Sequence, residues 1–196
     1  MKNIIALLTL AISTCAFGQV AIGKASISVI PATTTPNPSI SLEFGDYIAG
    51  QGKGIIVPWV SSQAAIETAG VEQGTIVFDS ADKLMKYRRA NGTWVALSKN
   101  ETTTVNGTAN YDTTGVVNTT LQSSLTDKTD AKVAIGTVTS TKGILVLEDA
   151  NKAMILPKVP SPHLNIINPE PGMMVYDTTS KQLAVFNGKV WSFWKP

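Results

Sequence analysis

Few residues in this sequence have the types and spacing to do chemistry. The one histidine, His163, sits in the proline-flanked stretch SPHLNIINPEPG. A general base needs a nucleophile to deprotonate and a carboxylate to orient it. Neither is spaced around His163, and no cysteine or second histidine stands by to share a metal, so it reads as a solvated loop residue. The run Gly50-Gln51-Gly52-Lys53-Gly54 has the composition of a phosphate loop. It lacks the Walker spacing and the Ser/Thr after the lysine, and the IIVP that follows is no helix start, so it reads as a turn before a strand. The pairs Asp79/Asp82 and Asp127/Asp130 offer carboxylate oxygens, but too few for the six or more ligands of a calcium loop. No catalytic, cofactor-binding or metal-binding residue is assigned, and the expectation is a protein that is not an enzyme and carries no cofactor.

Aromatic side chains hold more promise. Trp59, Tyr87, Trp94, Trp191 and Trp194 fall in stretches that alternate like strands. An exposed row of rings on a sheet stacks on sugars, and coplanar, exposed Tyr87 and Trp94 would make a carbohydrate site. Against this, a small module with few large side chains needs its rings for the core. Trp191 and Phe193 share one strand face and Trp194 lies on the other, so one of these rings is expected at a partner surface.

The positioning elements come from a repeat. VAIG at 20–23 recurs at 133–136; GIIVPWV at 54–60 answers to AMILPKV at 153–159; GTIVFDS from Gly74 answers to GMMVYDT from Gly172. Lys83, Asn91-Gly92 and Trp94 then answer to Lys181, Asn187-Gly188 and Trp191. Each copy closes as a meander: alternating strands around Ile76 to Phe78, Leu84 to Arg88 and Thr93 to Leu97 in the first, and Leu183 to Phe186 with Lys189 to Trp194 in the second. Asn-Gly between alternating runs predicts type I′ hairpin turns. SSQAAIETA at 61–69 predicts a short helix capped by Ser61 or Ser62 and stopped by Gly70; its proline-rich counterpart allows no more than a turn.

The fold class expected is therefore mainly β: two tandem small modules, 19–98 and 132–196, joined by a Thr/Asn-rich linker or stalk at 99–131. Modules this small, without disulfide or metal, sit near the lower limit for an independent core. Their unpaired strand edges imply packing on each other or on further copies of the chain.

Composition limits the partners and suggests an address. The formal charge is +2 and charged residues make up only 15% of the chain, so there is no basic footprint for nucleic acid. MKNIIALLTLAISTCAFGQ reads as a secretory signal peptide, residues 1–18, with Gln19 as the mature terminus; its apolar run is too short to span a bilayer. Cys15 as a lipoprotein acceptor is the alternative, and Thr14 before it is the wrong residue for that signal. The chain is expected at the cell surface or outside it, with the periplasm the other possible address.

These motifs together resemble secreted proteins of Bacteroidota that begin with QVGIGT and continue through a Gly-aliphatic-Pro-Arg segment, a G-L-hydrophobic-V-Y-[DN]-T stretch and a closing Y-x-G-x-x-W. Here QVAIG, GIIVPWV, GTIVFDS and NGTW carry one match, and VAIGT, AMILPKV, GMMVYDTTSKQ and FNGKVW the other. The resemblance implies a surface or secreted protein. Taken with the repeat and the aromatics, the expectation is a non-enzymatic structural or adhesive component, with a glycan or a surface protein as the candidate partner and a carbohydrate-binding module as the alternative. Some similar segments occur in tail-fibre-like proteins, which implies a homo-oligomer, in particular a trimer. Trp59 and Lys158 replace the family arginine, Lys24 replaces a threonine, and no self-cleaving chaperone domain follows before Pro196. The resemblance also implies O-glycosylation at the Asp-Ser/Thr acceptors, Ser80, Thr113 and Thr178.

Overall fold

The structure, a computed structural model, describes residues 18–67, 70–98, 102–105, 108–111, 119–120, 131–148 and 150–195; for 102–105 and 108–111 the strand pairing alone is described. The chain is mainly β, as its composition predicts.

In the first half β1 (Val20–Ile22) pairs in parallel with β2 (Ile40–Phe44), Val20 opposite Leu42. A parallel pair needs a long return connection, and residues 23–39 supply it. Glu43 pins that connection by accepting Ser28 N at 2.7 Å, Ser28 Oγ at 2.6 Å and Lys24 Nζ at 2.9 Å. Burial pushes the Glu43 carboxyl up, but these donors outweigh it and hold the pKa below its ordinary value. Next come β3 (Ile55–Ile56), β4 (Trp59–Val60), α1 (Gln63–Glu67), β5 (Ile76–Asp79), β6 (Leu84–Arg88) and β7 (Trp94–Ala96). Strands β4 to β7 form one sheet in chain order.

Between the two halves, β8 (Thr102–Val105) and β9 (Thr108–Tyr111) pair antiparallel with each other. The second half then repeats the element order of the first: β10 (Val133–Ile135), β11 (Leu145–Leu147), β12 (Ala153–Ile155), β13 (Lys158–Val159), α2 (Pro162–Asn165), β14 (Met173–Asp177), β15 (Gln182–Phe186) and β16 (Trp191–Trp194). Registers repeat too. Val60 stands opposite Asp79 and Val159 opposite Asp177; Arg88 stands opposite Trp94 and Phe186 opposite Trp191.

The halves exchange strands. β12 adds in parallel to the outer edge of β2, Met154 opposite Leu42, while β3 adds antiparallel to β14, Ile55 opposite Met174. One core cluster is accordingly shared: Val57, Phe78 and Met85 from the first half meet Met174 and Val185 from the second, with Trp59, Met154 and Leu156 packed against them. Each such side chain buried contributes about 2 kcal/mol of transfer free energy before the entropy of ordering it is set against it. A second cluster (Val159, Ile166, Met173, Val175, Ala184, Phe186) lies on the other face of the β14–β15 pair.

The hairpin turns differ from the type I′ expected. Gly92 and Gly188 have φ of 81° and 98°, but neither asparagine is among the residues of positive φ, and the loops are longer than two residues. The asparagines act through their side chains instead. Asn91 Oδ1 accepts Thr93 N and Oγ1, and Asn187 Oδ1 accepts Lys189 N and Val190 N, closing the loops as Asx turns. α1 is capped by Ser62, whose Oγ accepts Ala65 N at 3.1 Å. α2 is a single turn, with Pro162 in the first position, where a missing N–H costs nothing.

Candidate association surface

Of the two acidic pairs that could offer oxygens to calcium, Asp127/Asp130 lies outside the described residues and Asp79/Asp82 is built around a lysine. Lys86 Nζ lies 2.7 Å from Gln63 Oε1 and 2.9 Å from Asp79 Oδ2, and also pairs with Asp82. Asp79 takes Gln63 N on Oδ2 and Ala81 N on Oδ1. Burial pushes its carboxyl up, but the Lys86, Gln63 and Ala81 donors prevail and hold it low. Lys86 is held above its ordinary value because its two carboxylates outweigh burial. The ammonium thus occupies the position a cation would take. In the second half Asp177 does the same job without a lysine: its Oδ1 accepts Ser161 N at 3.0 Å, Thr179 N at 2.9 Å and Ser180 N at 3.4 Å. These aspartates staple the helical turn to the sheet.

His163 is exposed, its ring edge-on to Phe193 at 5.7 Å between centroids. A cleft of about 310 Å³ opens between the β1–β2 end and Pro157–Val159, floored by Ile22, Phe44 and Val159 and rimmed by Lys53 and Lys158; none of its lining residues is a Ser, Thr, Cys or His.

The five aromatics are separated by the fold. Trp59 is half-buried, tilted on Phe78 at 6.4 Å, and its Nε1 donates to Pro171 O at 2.8 Å, which ties the two halves together. Trp94 shares a face with Arg88, whose guanidinium lies 5.8 Å from its ring centre, and its Nε1 donates to Glu67 Oε1 at 2.9 Å. Tyr87 is paired with Val95 and so points to the opposite face. No common Tyr87/Trp94 platform exists, because neighbours along a strand alternate faces. Trp191 packs on Phe186 at 5.3 Å. Trp194 is 45% exposed, though its Nε1 reaches Leu97 O of the first half. Ser80 encloses its Oγ, which has no hydrogen-bond partner, whereas Thr178 is exposed; Thr113 lies outside the described residues.

What the sequence did not reveal is where apolar strand edges emerge. Leu42 and Ser41 of β2 are 2% and 0% exposed under β12, whereas their counterparts beside β10, Leu145 and Ile144, are 47% and 59% exposed. Val133, opposite Leu145, is also exposed. The apolar run GILVL at 143–147 carries this signal, but nothing local in it says whether a third strand covers it. A second apolar patch gathers Leu164, Ile167 and Phe193 around α2.

Among the described residues, then, exposed strand edges and apolar patches stand out and no reaction centre is assembled. Residues 134–195 match a protein family described as the phage tail like trimerisation region. This match begins at the second residue of β10 and runs through β16, and it takes in the exposed Ile144, Leu145, Leu164, Ile167 and Phe193. No curated protein and no solved structure matches the chain.

Proposed function

We propose that this chain is an exported, non-enzymatic structural subunit of a trimeric, tail-fibre-like assembly in the cell envelope or beyond it. The observation that carries the reading is the coincidence of the trimerisation-region match with exposed apolar strand residues: Val133, Ile144 and Leu145 all sit in or beside its first strands. The signal-like first 18 residues supply the export route, and the structural or adhesive role follows from surface complementarity. The test is to express the full-length chain in a secreting host, determine the N-terminus of the product, and measure its mass by light scattering. The expected product begins at Gln19 and has three times the chain mass. A monomer at every concentration overturns the trimer, and retention of residues 1–18 overturns the export.

A further inference from the structure

The contact between the two halves of one chain has a donor face and an acceptor face, and each half carries both. In the observed contact the first half offers the outer edge of β2, which β12 joins in parallel, and the second half offers the free edge of β14, which β3 joins antiparallel. The second half still has an unused copy of the first offer: β11 pairs with β10 alone, and among the described residues no strand lies on its outer edge. The first half still has an unused copy of the second: β5 meets β4 only at Phe78 and Asp79, leaving the edge at Thr75 and Ile76. The spare strands match. β3 and β12 occupy equivalent positions, and among the described residues each uses one edge only.

Side chains repeat the contrast. Gly172 is sealed by the other half, a Cβ there lying 3.1 Å from Phe78 Cβ and 3.3 Å from Trp59 Nε1, whereas its counterpart Gly74 has nothing within 4 Å. Leu42 is buried by β12 while Leu145 is left 47% exposed. Among the described residues the same surface is thus covered once inside the chain and left open once at each end of it.

We infer that a second copy of this chain fills the vacancy by the internal contact's own geometry: its β3 adds in parallel to β11, Ile55 opposite Leu145 and Ile56 opposite Val146. β12 of the first copy in turn adds antiparallel to the second copy's β5, Met154 opposite Ile76. The contact is heterologous, so it closes into a ring or continues as a filament. It deepens the proposed trimer, in which the ring closes at three. Main-chain pairing supplies the affinity and the apolar side chains at 55, 56, 145 and 146 the register.

The test replaces the native cysteine, Cys15→Ser, and co-expresses two full-length chains in that background, one carrying Ile55→Cys and the other Leu145→Cys. Oxidation is expected to give a disulfide-linked two-chain product that neither variant gives alone. In parallel, Leu145→Lys, a change at a half-exposed position, is expected to weaken self-association at least tenfold in sedimentation equilibrium while leaving the circular dichroism spectrum unchanged. A trimer that gives no cross-linked product, or that Leu145→Lys leaves intact, overturns this contact and leaves the trimer standing. A cross-linked product in a protein that is never trimeric supports the contact and overturns the trimer. A monomer without product overturns both.

Discussion

Asp79 and Asp177 occupy one position in the two halves and perform one task with different atoms. Asp79 divides its partners between both oxygens, with Lys86 Nζ and Gln63 N on Oδ2 and Ala81 N on Oδ1, whereas the backbone amides on Asp177 converge on Oδ1. An asparagine keeps one carbonyl oxygen and replaces the other with a donor. Asp177→Asn therefore retains its amide acceptor and costs about 1 kcal/mol. Asp79→Asn turns a donor toward either an ammonium or a backbone N–H and leaves Lys86 with Asp82 as its one carboxylate, costing about 2 kcal/mol. Urea unfolding of the two variants decides this, and equal losses would show that the pairing with Lys86 contributes nothing beyond the amides.

The same carboxylates set the acid limit of the fold. Asp79 and Asp177 are held below their unfolded value of 3.8, and Glu43 below 4.5. Lowered folded pKa values mean that unfolding takes up protons in acid. Their contribution is fully present above about pH 5 and is lost as pH falls through the lowered folded values. Lys86, raised above 10.5, works in the opposite sense: its contribution is complete below that value and is lost as pH rises through the raised folded one. Unfolding free energy measured against pH should be flat between these limits. In Asp177→Asn the acid slope should be shallower than in the natural chain.

Gly172→Ala and Gly74→Ala separate backbone strain from crowding. Both glycines adopt positive φ, 79° and 82°, so each alanine incurs about 1–2 kcal/mol from the left-handed conformation. Only at position 172 does the new Cβ press on Phe78, Trp59 and Val57 of the other half. Gly172→Ala should therefore lower the melting temperature clearly more than Gly74→Ala does, and equal effects would mean that the interface between halves yields at no cost.

How far the sequence announced all this varies with the range of the interaction. Leu84 to Arg88 is readable as a strand because Met85 to Arg88 alternate apolar and polar and the run is closed by turn residues, and β6 spans those residues. The Asn-Gly corners were readable as turns but not by type, since Asn91 and Asn187 reach their loop amides with side chains rather than by adopting positive φ. The strand exchange was not readable. β3 and β12 are two and three residues long, too short to encode a register, and their partners lie about a hundred residues away along the chain. The sugar platform failed for a local reason that the sequence did contain, since Tyr87 and Arg88 are neighbours on a strand and only one of them shares a face with Trp94.

Trp59 links the halves by both packing and a hydrogen bond, and the two contributions can be separated. Trp59→Phe keeps a ring against Phe78 and removes the Nε1–Pro171 O bond, with an expected loss of about 1 kcal/mol. Trp59→Ala removes the ring from the shared cluster as well, with an expected loss of about 3–5 kcal/mol. Because the cluster is shared, the damage should not stay in the first half. Hydrogen exchange at the Met174 and Val185 amides of the second half should accelerate together with that at Val77 and Phe78. Acceleration confined to the first half would mean that the halves fold as independent units and that the strand exchange between them is energetically silent.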